Sequence, residues 1–338
     1  IAHPPTPERS VSTPIRLHYL ELKQRYPGVI LFFRLGDFYE TFDDDAKLVS
    51  EELKITLTSK PMGKDLRVPL AGVPYHSIDG HVAKLVKRGY RVAICEQMAD
   101  PAEIKGGLVP RDVVRVVTAG TVTAEHQLDA VEPNYLAAFA VRKNDVALAL
   151  ADITTGEIRI ASGDEARLEL LRNPPAELLA EFDEDVPRDI AAPIVRRSIP
   201  TDFVVEAELA RQYGEHAREG LVTNEAQAAA LAHILLYLRE TYPAALGALQ
   251  RVRPLSAAST LAIDTRTLRN LDVLPGDRRM SLLKVLDRTK TPMGARLLRQ
   301  WLTHPLRDLP ELTQRQDAVA WAIAHPLEGE QAQAVLRT

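Results

Sequence analysis

The stretch Phe32-Phe33-Arg34-Leu35-Gly36-Asp37-Phe38-Tyr39-Glu40-Thr41-Phe42 governs the reading of the first third of this 338-residue chain. Val29 to Arg34 is a continuous apolar run ending in a charge and reads as a buried strand. Gly36-Asp37 makes a turn. With strand-like alternation beyond it, positions 38 and 40 point one way and Tyr39 points back. An aromatic ring and a carboxylate then lie side by side on one surface.

The flanking sequence builds a domain around this hairpin. Ile15, His18, Tyr19, Leu22 and Tyr26 share one helical face, and Pro27-Gly28 stops that helix. Asp43, Asp44 and Asp45 suit the positive end of a second helix, whose apolar face is Phe42, Ala46, Val49 and Leu53. Short strands are expected near 55–58 and 68–71. A helix opens at Ser77, turns Ile78, Val82, Leu85 and Val86 inward and ends at Gly89. Strands at 90–96 and 113–118 follow. Residues 14–125 thus read as an α+β domain of ordinary size. Ahead of it, residues 1–13 are rich in Pro, Ser and Thr and read as a disordered tail.

Residues 126–134 look like a linker into a second, α/β domain that runs to 258. Its strands are expected at 135–141, 146–153 and 157–161, with a hairpin turn through Thr154-Thr155-Gly156. Pro174-Pro175 is expected to open a helix. A long helix spans 224–241, with Ala228, Leu231, Leu235 and Leu238 on one stripe. From 259 to 338 the pattern changes to helices broken by Pro and Gly and stops in the middle of helical sequence, which reads as a truncated all-α region. The fold class is a multidomain combination of α/β and α+β.

Composition excludes several classes. The chain is 46% hydrophobic and 26% charged, as ordinary globular domains are. It has neither an apolar run long enough to span a bilayer nor the apolar centre of a signal peptide. Cys95 is the only cysteine, which rules out an intrachain disulfide and a Cys-cluster zinc site and suits a reducing cytoplasm. The nine histidines include no pair at metal-ligand spacing. The net charge of −4 is unevenly spread, with acids concentrated in 129–258. Residues 54–91 hold eight basic and two acidic residues. Such a patch suits a phosphate-contacting surface, although a solvated face accounts for the same charges.

The Phe38/Glu40 pair has a specific use beside such a patch. An apolar ring pushed between base steps unstacks and kinks DNA from the minor groove. Unstacking costs a few kcal/mol, and least where the pair is already mismatched, so the cost difference is itself the recognition signal. Glu40 fits this scheme because an ionised carboxylate repels DNA, whereas a protonated one donates a hydrogen bond to a base acceptor. It would penalise intact duplex and bond only a displaced base. The plain alternative is a core aromatic with Glu40 on a solvated edge, since most Phe are buried.

Gly36-Asp37-Phe38-Tyr39-Glu40 resembles the Phe-x-Glu mismatch-binding motif of the MutS family of DNA mismatch repair proteins. Further blocks resemble the same family. They are Val68-Pro69-Leu70-Ala71-Gly72-Val73-Pro74-Tyr75-His76, Val92-Ala93-Ile94-Cys95-Glu96-Gln97, Val114-Arg115-Val116-Val117-Thr118 and the hairpin Asp152-Ile153-Thr154-Thr155-Gly156-Glu157. Thr267-Leu268-Arg269-Asn270-Leu271 and Arg296-Leu297-Leu298-Arg299-Gln300-Trp301-Leu302 look like the start of the family's core, or lever, domain. Ala119 departs from the family's usual Pro before Gly-Thr, a local turn change.

The resemblance implies a mismatch-binding domain over 14–125, an RNase H-like connector over 126–258 and the start of a helical core domain over 259–338. It implies that Phe38 stacks on a mispaired or unpaired base and that Glu40 hydrogen-bonds it. The partners it implies are double-stranded DNA with mismatches or small loops, a MutL-type protein through the connector, and a second copy of the parent chain, with no membrane; the setting is the bacterial cytoplasm, at the nucleoid. Charge and the family block together single out Lys60, Lys64, Arg67 and His76 for backbone contacts. The family's ATP-driven sliding clamp needs a P-loop. The one Gly-Lys pair here, Gly63-Lys64, is followed by Asp65, with Thr58 where the motif's first Gly would fall. ATP and Mg²⁺ are therefore expected in the C-terminal part of a longer parent, with no cofactor and no ATPase activity in this chain. Two rival classes stand beside this reading. One is a two-metal nuclease using Asp145, Asp152 and Glu157. The other is an acidic interaction scaffold that retains no DNA binding.

Overall fold

The computed structural model describes residues 13–63, 66–99, 109–122, 134–182, 186–187, 190, 192–250, 252–255, 260–261, 263–274 and 280–336. Apart from Thr13 and Asn134, the expected tail and linker lie outside these residues. The chain divides into two compact units, residues 1–127 with 237–247, and residues 128–236 with 248–338.

The first unit runs α1 (Pro14–Arg25), β1 (Ile30–Leu35), β2 (Phe38–Phe42), α2 (Asp43–Leu53), β3 (Thr58–Gly63), β4 (Leu66–Pro74), α3 (Ile78–Lys87), β5 (Val92–Gln97) and β6 (Arg111–Val117). Its mixed sheet has the order β3-β4-β2-β1-β5-β6, in which only β1 and β5 run parallel. The apolar run of β1 is explained by this central place, since Ile30 through Phe33 are buried whichever face they meet. One sheet face, with Leu31, Phe33, Phe42, Val68 and Cys95, packs on Tyr19 and Leu22 of α1. Thr13 caps α1 by accepting from the Arg16 N–H, and Pro14 occupies its first turn.

Two of the three consecutive aspartates do more than favour a helix end. Asp45 accepts from Lys23 Nζ (2.7 Å), the Tyr19 hydroxyl (3.3 Å) and the backbone N–H of Leu31 (3.0 Å), tying α1, α2 and β1 together. Asp43 pairs with the buried Arg16, and Asp44 alone meets only an exposed neighbour, Lys47. The strands expected at 55–58 and 68–71 are in fact a longer hairpin, β3–β4, with an irregularity at Pro61/Gly63. Pro61 hid β3 from the sequence pattern; an edge strand tolerates it because one side needs no ladder.

The second unit contains β7 (Tyr135–Arg142), β8 (Asp145–Asp152), β9 (Glu157–Ser162), α4 (Gly163–Arg172), β10 (Glu177–Ala180), β11 (Ile194–Arg196), α5 (Asp202–Tyr213), α6 (Ala217–Leu221), the greater part of α7 (Glu225–Thr241), and β12 (Val252–Pro254). Its sheet order is β11-β10-β7-β8-β9-β12. β7, β8 and β9 form an antiparallel meander; β10 and β11 add in parallel beside β7, and β12 in parallel beside β9. Pro174-Pro175 does not open a helix. It follows α4, which the sequence reading missed, and leads into β10. Asn173, before the proline, is pushed out of the helical region, so the pair terminates α4 instead of starting a helix. In α7 the burial of Ala226 and of Ala228 through Ala232 exceeds a single stripe, as a helix apolar on all sides requires.

Helices α8 (Thr265–Asn270), α9 (Leu282–Leu286), α10 (Pro292–Thr303), α11 (Leu309–Ala324) and α12 (Pro326–Leu336) complete the unit. Asp264, Ser281, Thr291 and Asp308 cap the first four by accepting backbone N–H groups. A buried carboxylate joins α4 to the end of α10. Glu169 accepts from His304 Nε2 (2.7 Å) and Asn173 Nδ2 (2.8 Å), with Arg159 and Arg172 at 3.5 and 3.7 Å. Burial by itself would raise the Glu169 carboxyl. The His304 hydrogen bond and the charges of His304, Arg159 and Arg172 outweigh it and hold the group below the ordinary carboxylate range.

Two expected outcomes follow from this packing. Because the folded carboxyl of Glu169 titrates below its unfolded value of ~4.3, its contribution is complete at neutral pH and is lost as pH falls below about 4. Glu169→Gln, which removes the charge facing His304, Arg159 and Arg172 while Arg172 keeps Glu165 and the Ile263 carbonyl, should lower unfolding free energy by about 2 kcal/mol at pH 7 and flatten the acid limb of a denaturation series; superimposable curves would refute this. Burial pushes the Cys95 thiol up to about 12, so native protein should resist thiol reagents and label only on unfolding. Rapid labelling in native buffer would contradict the buried position.

Candidate nucleic-acid interface

The candidate site is built on the β1–β2 hairpin. Leu35 pairs with Phe38, so Gly36 and Asp37 alone make the turn. Gly36 has φ +59°, where a glycine meets no Cβ penalty; a side chain there would touch nothing, so the dihedral and not space selects glycine. Beyond the turn the strand pleat separates its residues. Phe38 is 47% exposed, Tyr39 only 4%, Glu40 half-buried, and Thr41 and Phe42 buried.

Tyr39 is anchored on the opposite face from Phe38. Its hydroxyl donates to Glu96 Oε1 on β5, and the Arg34 guanidinium lies 5.2 Å from its ring. Burial, then the Glu96 bond, push its hydroxyl well above the usual tyrosine range, so it stays a donor. Phe38 is thereby held on the face it shares with Glu40 and Phe42, because a one-residue register slip would exchange the faces.

Glu40 is not an isolated carboxylate. Lys60 on β3 donates to its Oε2 at 2.9 Å and Oε1 at 3.2 Å. Of the other basic residues expected to meet a backbone, Arg67 lies exposed and donates to the Ser59 hydroxyl and carbonyl, both at 3.0 Å. His76 is exposed, with its ring edge-on to Tyr75 at 5.7 Å. Lys64 lies outside the described residues. Thus Phe38, Glu40 and Lys60 are brought together on one sheet face, Arg67 braces the β3–β4 hairpin, and His76 follows the end of β4.

Pro74, Tyr75 and Arg34 join the site without having been singled out as candidate site residues. Pro74 lies opposite Phe38 in the ladder, and the Tyr75 N–H donates to the Asp37 carbonyl at 2.9 Å. This leaves the Tyr75 ring 46% exposed beside the turn, with the Arg34 guanidinium 4.3 Å from its centre. The only signal for Tyr75 was its place in the 68–76 block; Arg34 read as the charged end of a strand. Exposed rings flanked by guanidinium groups are surfaces on which bases stack.

The acids of the nuclease alternative do not converge. Asp152 and Glu157 pair across the β8–β9 hairpin, while Asp145 stands at the far end of β8, about 23 Å away at ~3.3 Å per residue. Asp152 Oδ1 accepts from the N–H (2.9 Å) and hydroxyl (2.6 Å) of Thr154, the work of a turn residue. Among the described residues no group of three or more His, Cys, Asp or Glu is placed to hold a metal, and no helix is long and apolar enough to cross a membrane.

The family model for MutS domain I matches residues 13–126, and that for MutS domain III matches 266–338. A DNA mismatch repair protein MutS from Dehalococcoides mccartyi is 40% identical over 325 residues, 91% of this chain and 37% of the relative. Proteins of the same name from Symbiobacterium thermophilum and Chlorobaculum parvum are 39% and 40% identical, over 94% and 91% of this chain and 38% and 37% of their own lengths. The chain spans less than two fifths of these relatives. Two matched domain models, with identity near 40% across nine tenths of the sequence, show that the chain belongs to the MutS family of DNA mismatch repair proteins.

Proposed function

We propose that this chain binds double-stranded DNA at mispaired or unpaired bases and small loops, with Phe38 entering the base stack and Glu40 hydrogen-bonding the displaced base. The observation that carries the reading is the exposure of Phe38 at the edge of a hairpin whose other phenylalanines, Phe32, Phe33 and Phe42, are buried. A large ring kept in water on a rigid strand loses favourable burial of its own, and insertion into a loosened base step recovers it. Glu40 lies two residues along the same face, where it reaches the edge of a base beside the ring. Arg67, His76 and Lys64 serve as backbone contacts, which position the duplex without reading its sequence.

The wider assignments belong to the same proposal. The mismatch-binding domain covers 14–125. An antiparallel meander, β9-β8-β7, continued by β10 and β11 parallel to β7, supports an RNase H-like connector over 126–258, and α8 to α12 support the start of a helical core over 259–338. A longer parent would pair with a second copy, recruit a MutL-type partner through the connector and act in the bacterial cytoplasm at the nucleoid. It would use ATP and Mg²⁺ elsewhere in its chain. The residues present here do not fit that nucleotide, because Gly63-Lys64-Asp65 lacks the P-loop pattern, so no step of the proposed binding is routed through it.

A second reading, protein docking by the acidic unit, draws on Phe182 and on Phe203, which is 84% exposed at the start of α5. DNA binding separates the two. In a mobility-shift comparison of a G·T mismatch with the matched duplex, the unmodified chain should prefer the mismatch. Phe38→Ala should abolish that preference while weak, salt-sensitive background binding survives. Glu40→Gln should bind matched duplex more tightly and narrow the preference. A Phe38→Ala variant with full preference, or no DNA binding by the unmodified chain, would refute the mismatch reading for this chain.

A further inference from the structure

We infer that Lys60 is a specificity-setting residue, the counter-ion that determines how heavily the Glu40 charge weighs against intact duplex. The inference deepens the mismatch reading above and rests on it. Lys60 stands on β3 and Glu40 on β2, the two strands flanking β4. Two strand spacings amount to ~9.6 Å, and Lys60 and Glu40 stand opposite Val68 and Gly72, four residues apart along β4, so only long side chains leaning along the sheet close the gap. The residue of β4 opposite Glu40 is Gly72. A Cβ there would lie 3.5 Å from Glu40 Cγ and 3.3 Å from the Tyr39 carbonyl oxygen, so the missing side chain keeps the surface beside the carboxylate clear.

The pair is asymmetric toward water. The Glu40 side chain is 15% exposed and that of Lys60 40%. An ammonium carries three donors; two serve the Glu40 oxygens, which leaves one for a phosphate. With the pair closed, an approaching duplex meets a nearly neutral group and the carboxylate's repulsion is muted, whether or not the bases match. Opening of the pair is productive only where a displaced base accepts Glu40; Lys60 then stays with the backbone. Lys60 thus moderates discrimination while raising overall affinity. A lysine acting solely as a phosphate contact would raise affinity for both duplexes alike.

The two roles are separated by a double-mutant cycle on the 338-residue chain. Lys60→Met, Glu40→Gln and the double variant would be titrated by fluorescence anisotropy against G·T and matched duplexes, with thermal melts as the folding control. Lys60→Met should weaken matched binding more than G·T binding, widening their ratio about two- to fivefold, the range of an exposed ion pair. In the Glu40→Gln background it should leave the ratio unchanged. Lys60→Arg, which keeps the charge, should retain the ratio of the unmodified chain and covers the case in which Lys60→Met fails to fold. An equal loss on both duplexes in both backgrounds, with the Phe38-dependent preference intact, would overturn the role of Lys60 alone. Absence of any mismatch preference in the unmodified chain would overturn the site reading and this inference together.

Discussion

The inward anchoring of Tyr39 is the constraint on which the candidate interface depends. A strand presents successive side chains to opposite faces, so whatever fixes one residue fixes its neighbours with opposite sign. Tyr39 is held through its hydroxyl bond to Glu96 and the guanidinium beside its ring. Its position puts Phe38 and Glu40 together on the other face, which also carries the buried Phe42 and, opposite Glu40, the buried Phe33; Phe38 is exposed because it stands at the turn end of the strand. The exposed ring is not a packing fault. It follows from the ring's place at the turn end of β2, past the buried Phe33 and Phe42 on the same face.

The first unit supports that hairpin from several directions. β1 lies between β2 and β5, and Asp45 links α1 and α2 to the same strand through a lysine, a hydroxyl and a backbone N–H. Under the proposed function the Phe38 ring must not yield when pushed against a base stack, and a hairpin bonded on both edges within a six-stranded sheet meets that need better than a free loop. The acidic and basic groups beside Phe38 are likewise organised. Lys60 reaches across β4 to Glu40, so the surface offered to a polyanion is balanced at the point where a bare carboxylate would be least welcome.

The second unit solves a different problem with similar means. Its Glu169 is fully buried yet ringed by histidine, asparagine and two arginines, and it joins the sheet-covering helix α4 to α10. Removing the carboxylate is costly because His304, Arg159 and Arg172 stay buried with one counter-charge fewer, which favours one arrangement of these elements over loosened alternatives.

Local chemistry along the chain was enough for the elements and the alternation at the heart of the site. The run Val29 to Arg34, the Gly36-Asp37 turn and the period of two placed Phe38 and Glu40 on one surface, because a strand's facing depends only on residue count. Helices α1, α2, α3 and α7 were legible from apolar periodicity. Tertiary structure decided what depends on distant neighbours. β3 carries a proline and polar residues, and only pairing with β4 makes it a strand. Pro174-Pro175 looks the same at the end of a helix as at the start of one, and packing of α4 settled which. The partnership of Lys60 with Glu40, twenty residues apart, and the place of Tyr75 beside the turn follow from the sheet order β3-β4-β2, which no local pattern encodes. Local chemistry sets which way a residue faces, whereas its neighbour across the sheet is chosen by the fold as a whole.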